Sequence, residues 1–335
     1  MQVRDASRDE IVSLLTGAHA VWGRGGAVAD FVAFHLALAD SSWGREHSRY
    51  LVGADDTGRP VSALRIDSLA GRLDDRPVRI AEMGALFTVP EARGRGHASA
   101  LLDQALEEAR RAGHDLAMLV SSITQSLYGR AGFGPLPASE TACRTAMPAP
   151  WPKEPAWLRA GDDPLDRIAG LRRGGEDDLA AIAAIHAQET AQQRLRIERD
   201  PAAWEFALMK AGMPRGRGRD EDRFWVIERG GRVQAYVLLQ AEPPTLRWRE
   251  HGALPDARDL LADLFWCALS LARRRRLDRI EGWHVPGILT LGPLYPASQR
   301  RRKTDRVMLR SLDPALRVPA FANEDECRLW ELDAL

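Results

Sequence analysis

The residues best suited to chemistry crowd between Glu82 and Phe133. At the centre runs Thr88-Val89-Pro90-Glu91-Ala92-Arg93-Gly94-Arg95-Gly96-His97-Ala98-Ser99. A strand-like run ends, a glycine-rich turn follows, and a long amphipathic helical pattern begins. The first turn of a helix leaves N–H groups without intrahelical partners, and the macrodipole adds positive charge there. Glycines let a ligand approach the backbone closely. Together these features cradle a diphosphate, and Arg93 and Arg95 add cationic donors. Two familiar phosphate loops are excluded. No Lys-Ser/Thr pair follows the glycines, and Ser99 stands where a dinucleotide fingerprint needs a third Gly or Ala.

The elements that must position this turn follow from periodicity. A short strand near Met1–Arg4 precedes helical segments through about Leu38. Tyr50–Ala54 and Val61–Leu69 bracket Asp55-Asp56-Thr57-Gly58, a hairpin signal. A strand covers about Ile80–Val89. A helix from about Gly96 to Ala112 puts Leu101, Leu102, Ala105, Leu106 and Ala109 on one face, and Gly113 ends it. Leu116–Val120 reads as a buried strand, and a short helix near Thr124–Ala131 ends at Gly132.

Five prolines between Pro148 and Pro164 predict an extended surface linker over 148–164, with one domain at 1–147 and another at 165–335. The order helix, hairpin, helix, strand then repeats: Asp177–Thr190, Phe224–Glu228 with Val233–Leu239, Ala257–Arg275 and Arg279–His284. Val307–Leu312 reads as a late strand.

Arg93-x-x-Gly96-x-Ala98, preceded by Val89-Pro90-Glu91, resembles the acyl-CoA turn of the GNAT N-acyltransferases. About thirty residues later Leu127-Tyr128-Gly129-Arg130-Ala131-Gly132-Phe133 resembles that family's late tyrosine signature, in the right order and spacing. The resemblance covers roughly residues 1–147. It implies an α/β fold with a mixed, mostly antiparallel sheet flanked by helices, and the repeated element order implies two copies in tandem.

The resemblance also implies roles. Arg93, Gly94, Arg95, Gly96, His97 and Ala98 would bind the diphosphate and pantetheine of acetyl-CoA, mostly through backbone N–H groups. Leu86, Phe87, Thr88 and Val89 would pair with pantetheine like an added strand, in a gap opening toward 116–120. Tyr128 matches the family's general acid; the alternative is a ring that only packs on Phe133. Glu82 is the candidate base, with a surface glutamate the alternative. Period-two alternation places Glu82, Gly84, Leu86 and Thr88 on one face. Other family members use water or a terminal carboxylate, which leaves Leu335 open. Ser121 stands where the family often has asparagine, and Ser121 or Ser122 could bind pantetheine or simply cap the strand.

The activity so implied is transfer of an acetyl group from acetyl-CoA to an amine, a small molecule before a protein. The alternative is a non-catalytic acyl-CoA sensor. The second half lacks both signatures, since Gly252-Ala253-Leu254-Pro255-Asp256-Ala257 precedes its long helix. It reads as a degenerate copy that completes the cleft or supports the first domain.

Composition narrows the rest. The 47 basic and 47 acidic residues cancel. Residues 1–150 carry 16 basic and 18 acidic, and the remainder 31 and 29, so neither half suits general nucleic-acid binding. The Arg-Gly run at Arg215–Arg219 leads into a strand with no helix behind it, and reads as a solvated loop. Arg273–Arg276 ends a helix, where cations complement the dipole. Arg300-Arg301-Arg302-Lys303 could steer an anion, with solvated charge as the default. No histidine pair has metal-ligand spacing, so no metal is expected. Cys143, Cys267 and Cys327 form no disulfide pattern, which fits a cytoplasmic protein. The polar N-terminus is no signal peptide, and no apolar run is long enough for a membrane span. Room is left for a homo-oligomer.

Overall fold

The structure, a computed structural model, describes every residue except 24, 122–125, 147–150, 212–222, 286–295, 304 and 334–335. The chain opens with β1 (Gln2–Asp5). Ser7 then starts α1 (Arg8–Trp22) through a capping box with Glu10. That exchange satisfies two N–H groups that open the helix. After α2 (Val28–Ala39) and α3 (Ser42–His47) come β2 (Ser48–Ala54), β3 (Pro60–Leu73) and β4 (Arg76–Thr88). The β2–β3 turn lies at Asp55–Gly58, where the Asp55 carboxylate accepts from the N–H groups of Thr57 and Arg59. The β3–β4 turn is made by Asp74 and Asp75, both at positive φ (47° and 63°). Then follow α4 (His97–Arg111), β5 (Leu116–Ser121), α5 (Ser126–Arg130), β6 (Gly134–Pro135) and β7 (Ser139–Arg144).

The proline-rich stretch is not an extended linker over its described part. It folds into α6 (Ala156–Ala160) and α7 (Pro164–Arg167), with Pro155 and Pro164 at the helix starts. Proline suits that position, because the N–H it lacks would have no partner there. Leu158 is buried, and Trp151 and Trp157 pack on the core of the second half. There follow β8 (Leu171–Arg173), α8 (Leu179–Thr190), β9 (Leu195–Glu198), α9 (Pro201–Ala211), β10 (Phe224–Arg229), β11 (Arg232–Glu242) and β12 (Thr245–Ala253). The chain closes with α10 (Leu260–Arg274), β13 (Arg279–Gly282), β14 (Ser298–Arg301) and β15 (Arg306–Ser311).

Two mixed, mostly antiparallel sheets result. The first runs β1-β2-β3-β4-β5-β15-β6, with β9 added to the outer end of β3. The second runs β14-β7-β13-β12-β11-β10-β8. Each holds one parallel pair joined through a long helix: β4–β5 through α4, and β12–β13 through α10. Both halves thus follow one plan.

The sheets also trade strands. β15, from the end of the chain, sits between β5 and β6, while β7 lies in the second sheet between β13 and β14. The two crossing segments bond to each other, Leu136 N–H to Val307 O and Arg302 N–H to Ala138 O. On one face of the first sheet, Leu101, Leu102 and Leu106 of α4 pack on Met83, Ala117 and Leu119. Each such buried leucine contributes about 2 kcal/mol. On the opposite face Ile80 and Met118 meet Leu195, Trp283 and Leu329 of the second half. Phe206 of α9 packs on Trp43 of α3, with ring centroids 4.3 Å apart.

Candidate active site

The β4–β5 ladder has four rungs, from Ile80–Leu116 to Met83–Leu119, and then ends. Beyond it β4 stays paired to β3 as far as Thr88, and β5 stays paired to β15 as far as Ser121–Arg306. A wedge therefore opens between the two parallel strands, where the sequence places it. Its cause is a bulge. Arg65 pairs with Gly84 but Ala63 pairs with Phe87, so β4 carries one extra residue, and Ala85 takes φ of 50°. Bulges bend a strand and break its pairing.

The bulge corrects the expected alternation. Glu82 and Phe87 share one face, Phe87 packing with Leu14 and Ala63. Leu86 instead packs with the α4 cluster on the other face. Val89 N–H donates to Val61 O of β3, so only alternate amides past the bulge are left for the wedge, and the side chains of Leu86 and Phe87 lie on opposite faces.

The glycine-rich turn follows directly. Pro90–Ala92 form a single 3-10 turn, Gly94 and Gly96 take left-handed φ of 76° and 80°, and Gly96 caps α4. A side chain at Gly94 or Gly96 would meet no protein atom within 4 Å. The N–H groups of Gly94 to Ser99 find no acceptor among the described residues. Six donors and the positive end of a 15-residue helix thus face open space. This shape and polarity fit the diphosphate of coenzyme A. Arg93 folds back, its Nε 3.1 Å from Thr88 O and its guanidinium 5.8 Å from the Phe87 ring centre, and so braces the strand end. Arg95 is exposed and His97 half-buried.

Tyr128 on α5 packs in the α4 cluster beside Phe133, with ring centroids 6.3 Å apart. Burial pushes its phenol above the ordinary tyrosine range. The phenol hydrogen-bonds no group among the described residues. Ser121, buried at the end of β5, stands at the mouth of the wedge. Ser122 and Leu335 lie outside the described residues.

Glu82 is 1% exposed, so it is no surface glutamate. It lies on the face away from α4, amid charge that the sequence did not reveal. Arg65 and Asp67 of β3 form an ion pair of 3.2 Å, and Ser48 donates to Asp67. Burial works to lower the Arg65 pKa, but Asp67, then Tyr50 and Glu82, outweigh it and hold the guanidinium above its usual value. Lys210 of α9 reaches the same field; burial lowers its ammonium pKa to about 8, against the pull of Glu82 and Asp67. His35 of α2 is pushed down to about 3 by burial and by Arg65, and so is neutral. The sequence did carry a signal: Arg65 and Asp67 interrupt the apolar strand Val61-Ser62-Ala63-Leu64-Arg65-Ile66-Asp67, and Lys210 is one of three lysines among 47 basic residues.

The second half repeats the layout without the cradle. β12 also carries a bulge, since Leu238 pairs with Glu250 and Leu239 with Trp248. Before α10, however, stand Asp256 and Asp259, with Asp263 in the first turn and no left-handed glycine. Carboxylates there oppose an anion.

A bulged strand beside a parallel pair joined through a long helix occurs in both halves, and the helix-capping glycine turn only in the first; together they match the GNAT fold in two linked copies. Residues 3–136 match the family model described as "Acetyltransferase (GNAT) domain". That match covers less than half of the chain, and a second sheet-based domain accompanies the matched stretch. No curated protein matches the sequence. Among solved structures it is similar to a GCN5-related N-acetyltransferase from Anabaena variabilis, at 20% identity and TM-score 0.63, over 93% of this chain and 73% of that one. It is also similar to one from Kribbella flavida, at 19% identity and TM-score 0.61, over 93% and 72%. Saccharomyces cerevisiae N-myristoyltransferase with bound myristoyl-CoA aligns at 13% identity and TM-score 0.54, over 84% and 72%. These likenesses show the fold. Among the described residues no helix is long and apolar enough to cross a membrane.

Proposed function

We propose that this chain transfers an acetyl group from acetyl-CoA to the amine of a small molecule. One observation carries the reading: the open, left-handed turn at Gly94 and Gly96 caps α4 beside the wedge between β4 and β5.

Bound acetyl-CoA would supply an activated acyl thioester. The N–H groups of Gly94 to Ala98 would hold its diphosphate, and the backbone groups of Leu86 to Thr88 not taken by β3 would pair with its pantetheine arm. A backbone N–H of that strand end would donate to the thioester carbonyl oxygen and steady the charge that develops there. Ser121 would add a donor at the wedge mouth.

The two proton tasks would fall to opposite faces of the sheet. Tyr128 lies on the α4 side, and its phenol would protonate the departing thiolate. Glu82 lies on the other side, where Lys210 and Arg65 also reach it, and would draw the proton from the incoming ammonium. A free amine is mostly protonated at neutral pH, so such an acceptor is required. That face is covered in part by the second half, which favours a small acceptor over a protein chain. Among its described residues, which leave out the Arg215–Arg219 run, the second half carries no diphosphate turn, so one coenzyme per chain is expected.

The test is calorimetry of the full-length protein with acetyl-CoA, followed by coenzyme release with a panel of small amines. One site per chain and amine-dependent release support the proposal. Tight binding with no release on any amine would make the chain a sensor, and no binding would overturn the reading.

A further inference from the structure

A large cleft lies apart from the glycine turn, at the place where the chain passes twice between the sheets. It has a volume of about 1130 Å³ and is bounded by the crossing segments and by residues 316–321. Five arginines line it: Arg300, Arg301, Arg306, Arg310 and Arg317, against the single lining carboxylate of Glu324. Two of these charges are already engaged. Arg300 pairs with Glu140 at 2.6 Å, and Arg310 donates to the Ala131 carbonyl at the end of α5.

Arg306 is the decisive residue. It keeps only 9% of its surface, and its Nε has no hydrogen-bond partner. No carboxylate among the described residues lies within ion-pair distance of it. Its charged neighbour is another cation, and burial followed by Arg301 holds its guanidinium below the ordinary arginine value. Burying a charge without a counter-charge is strongly unfavourable. A fold tolerates it where an anion from outside completes the site.

We infer that this cleft is a second anion site, separate from the Arg93–Ala98 turn, and that it takes a small organic phosphate with an apolar body. Guanidinium forks match phosphoryl oxygens two at a time. Leu316, Val318 and Phe321 supply the apolar wall for the remainder of the ligand. The volume is ample for a nucleotide-sized molecule, since small-ligand pockets run from about 300 to 1,000 Å³. None of the residues assigned to acetyl-CoA lines the cleft. The run Arg300–Lys303, which the sequence leaves as solvated charge, thereby gains a use for its first two members. Arg302 turns elsewhere, its guanidinium 3.5 Å from the Trp283 ring centre.

Phosphate chemistry could reach the cleft from a free nucleotide or from the adenosine end of coenzyme A, so the experiment separates them. Full-length protein is titrated with ADP, and separately with inorganic pyrophosphate, in the absence and presence of saturating coenzyme A. The expected result is one ADP per chain, bound equally well with coenzyme A present. Affinity should fall at least tenfold in Arg306→Gln and again in Arg317→Ala, an exposed position whose replacement leaves the fold intact. Displacement of ADP by coenzyme A would assign the phosphate to the turn and overturn the second site. So would the absence of heat from either probe on folded protein, or wild-type affinity in both variants.

Discussion

Asp67 of β3 and Glu82 of β4 stand directly opposite one another in an antiparallel ladder, and each is only 1% exposed. Like charges in that position repel. Arg65, two residues before Asp67, and Lys210, from the second half, supply the compensating charge. The arrangement ties the candidate base to a lysine whose ammonium burial has brought down to about 8.

Lys210 should titrate near pH 8, where burial has placed it. A free lysine titrates near 10.4, so below about pH 8 both folded and unfolded chains hold the proton and stability has no slope from this group. Between about 8 and 10 the unfolded chain alone keeps it, and stability rises with pH. With ¹³C-labelled lysine the protein should show three side-chain resonances, one moving near pH 8 and missing in Lys210→Arg. Three ordinary titrations near 10.4 would refute this.

Glu82→Gln tests the proton acceptor. We expect kcat to fall about 10²-fold or more, in the range of general acid–base contributions, with acetyl-CoA affinity within twofold of wild type. The acidic limb of the pH–rate profile should vanish. If the limb survives and only the melting temperature drops, Glu82 is a structural member of the charge cluster.

Tyr128→Phe keeps the ring that packs on Phe133 and removes the phenol. Turnover should drop by about 10²-fold while the dissociation constant for acetyl-CoA stays put. Because burial raises the phenol pKa, wild-type activity should show no alkaline limb from this group below about pH 10. Unchanged turnover would take Tyr128 out of the reaction.

Gly96→Ala and Gly58→Ala form a matched pair. Both positions have left-handed φ, 80° and 84°, and open space at the added methyl. Each should cost about 1 kcal/mol of stability from backbone strain. Only Gly96→Ala puts a methyl over the diphosphate cradle, so only it should weaken coenzyme binding, by tenfold or more. Equal affinity in the two variants, measured by calorimetry, would move the coenzyme elsewhere.

Much of this was legible in the residues. The face of α4 followed from its spacing, and the turn from two glycines beside a helix start. Leu101, Leu102, Ala105, Leu106 and Ala109 are the buried residues of that helix. The bulge at Ala85 was hidden, because alternation carries no mark of one extra residue, and it reversed the facing of Leu86. The Asp74-Asp75 turn was missed because aspartate, not glycine, takes the left-handed positions. The charge cluster was hidden because Lys210 and Glu82 lie far apart in the chain. Strand exchange leaves no local signature either, since Val307–Leu309 reads as an apolar strand whichever sheet it joins.

That exchange has a consequence for how the molecule is made. The β5 edge, which receives β15, emerges from the ribosome long before its partner is synthesised. Until then an apolar strand edge stays exposed, an invitation to faulty pairing with other nascent chains. Residues 306–311 must be synthesised before the first sheet can close, so the half that carries the glycine turn matures only after the second half has been made.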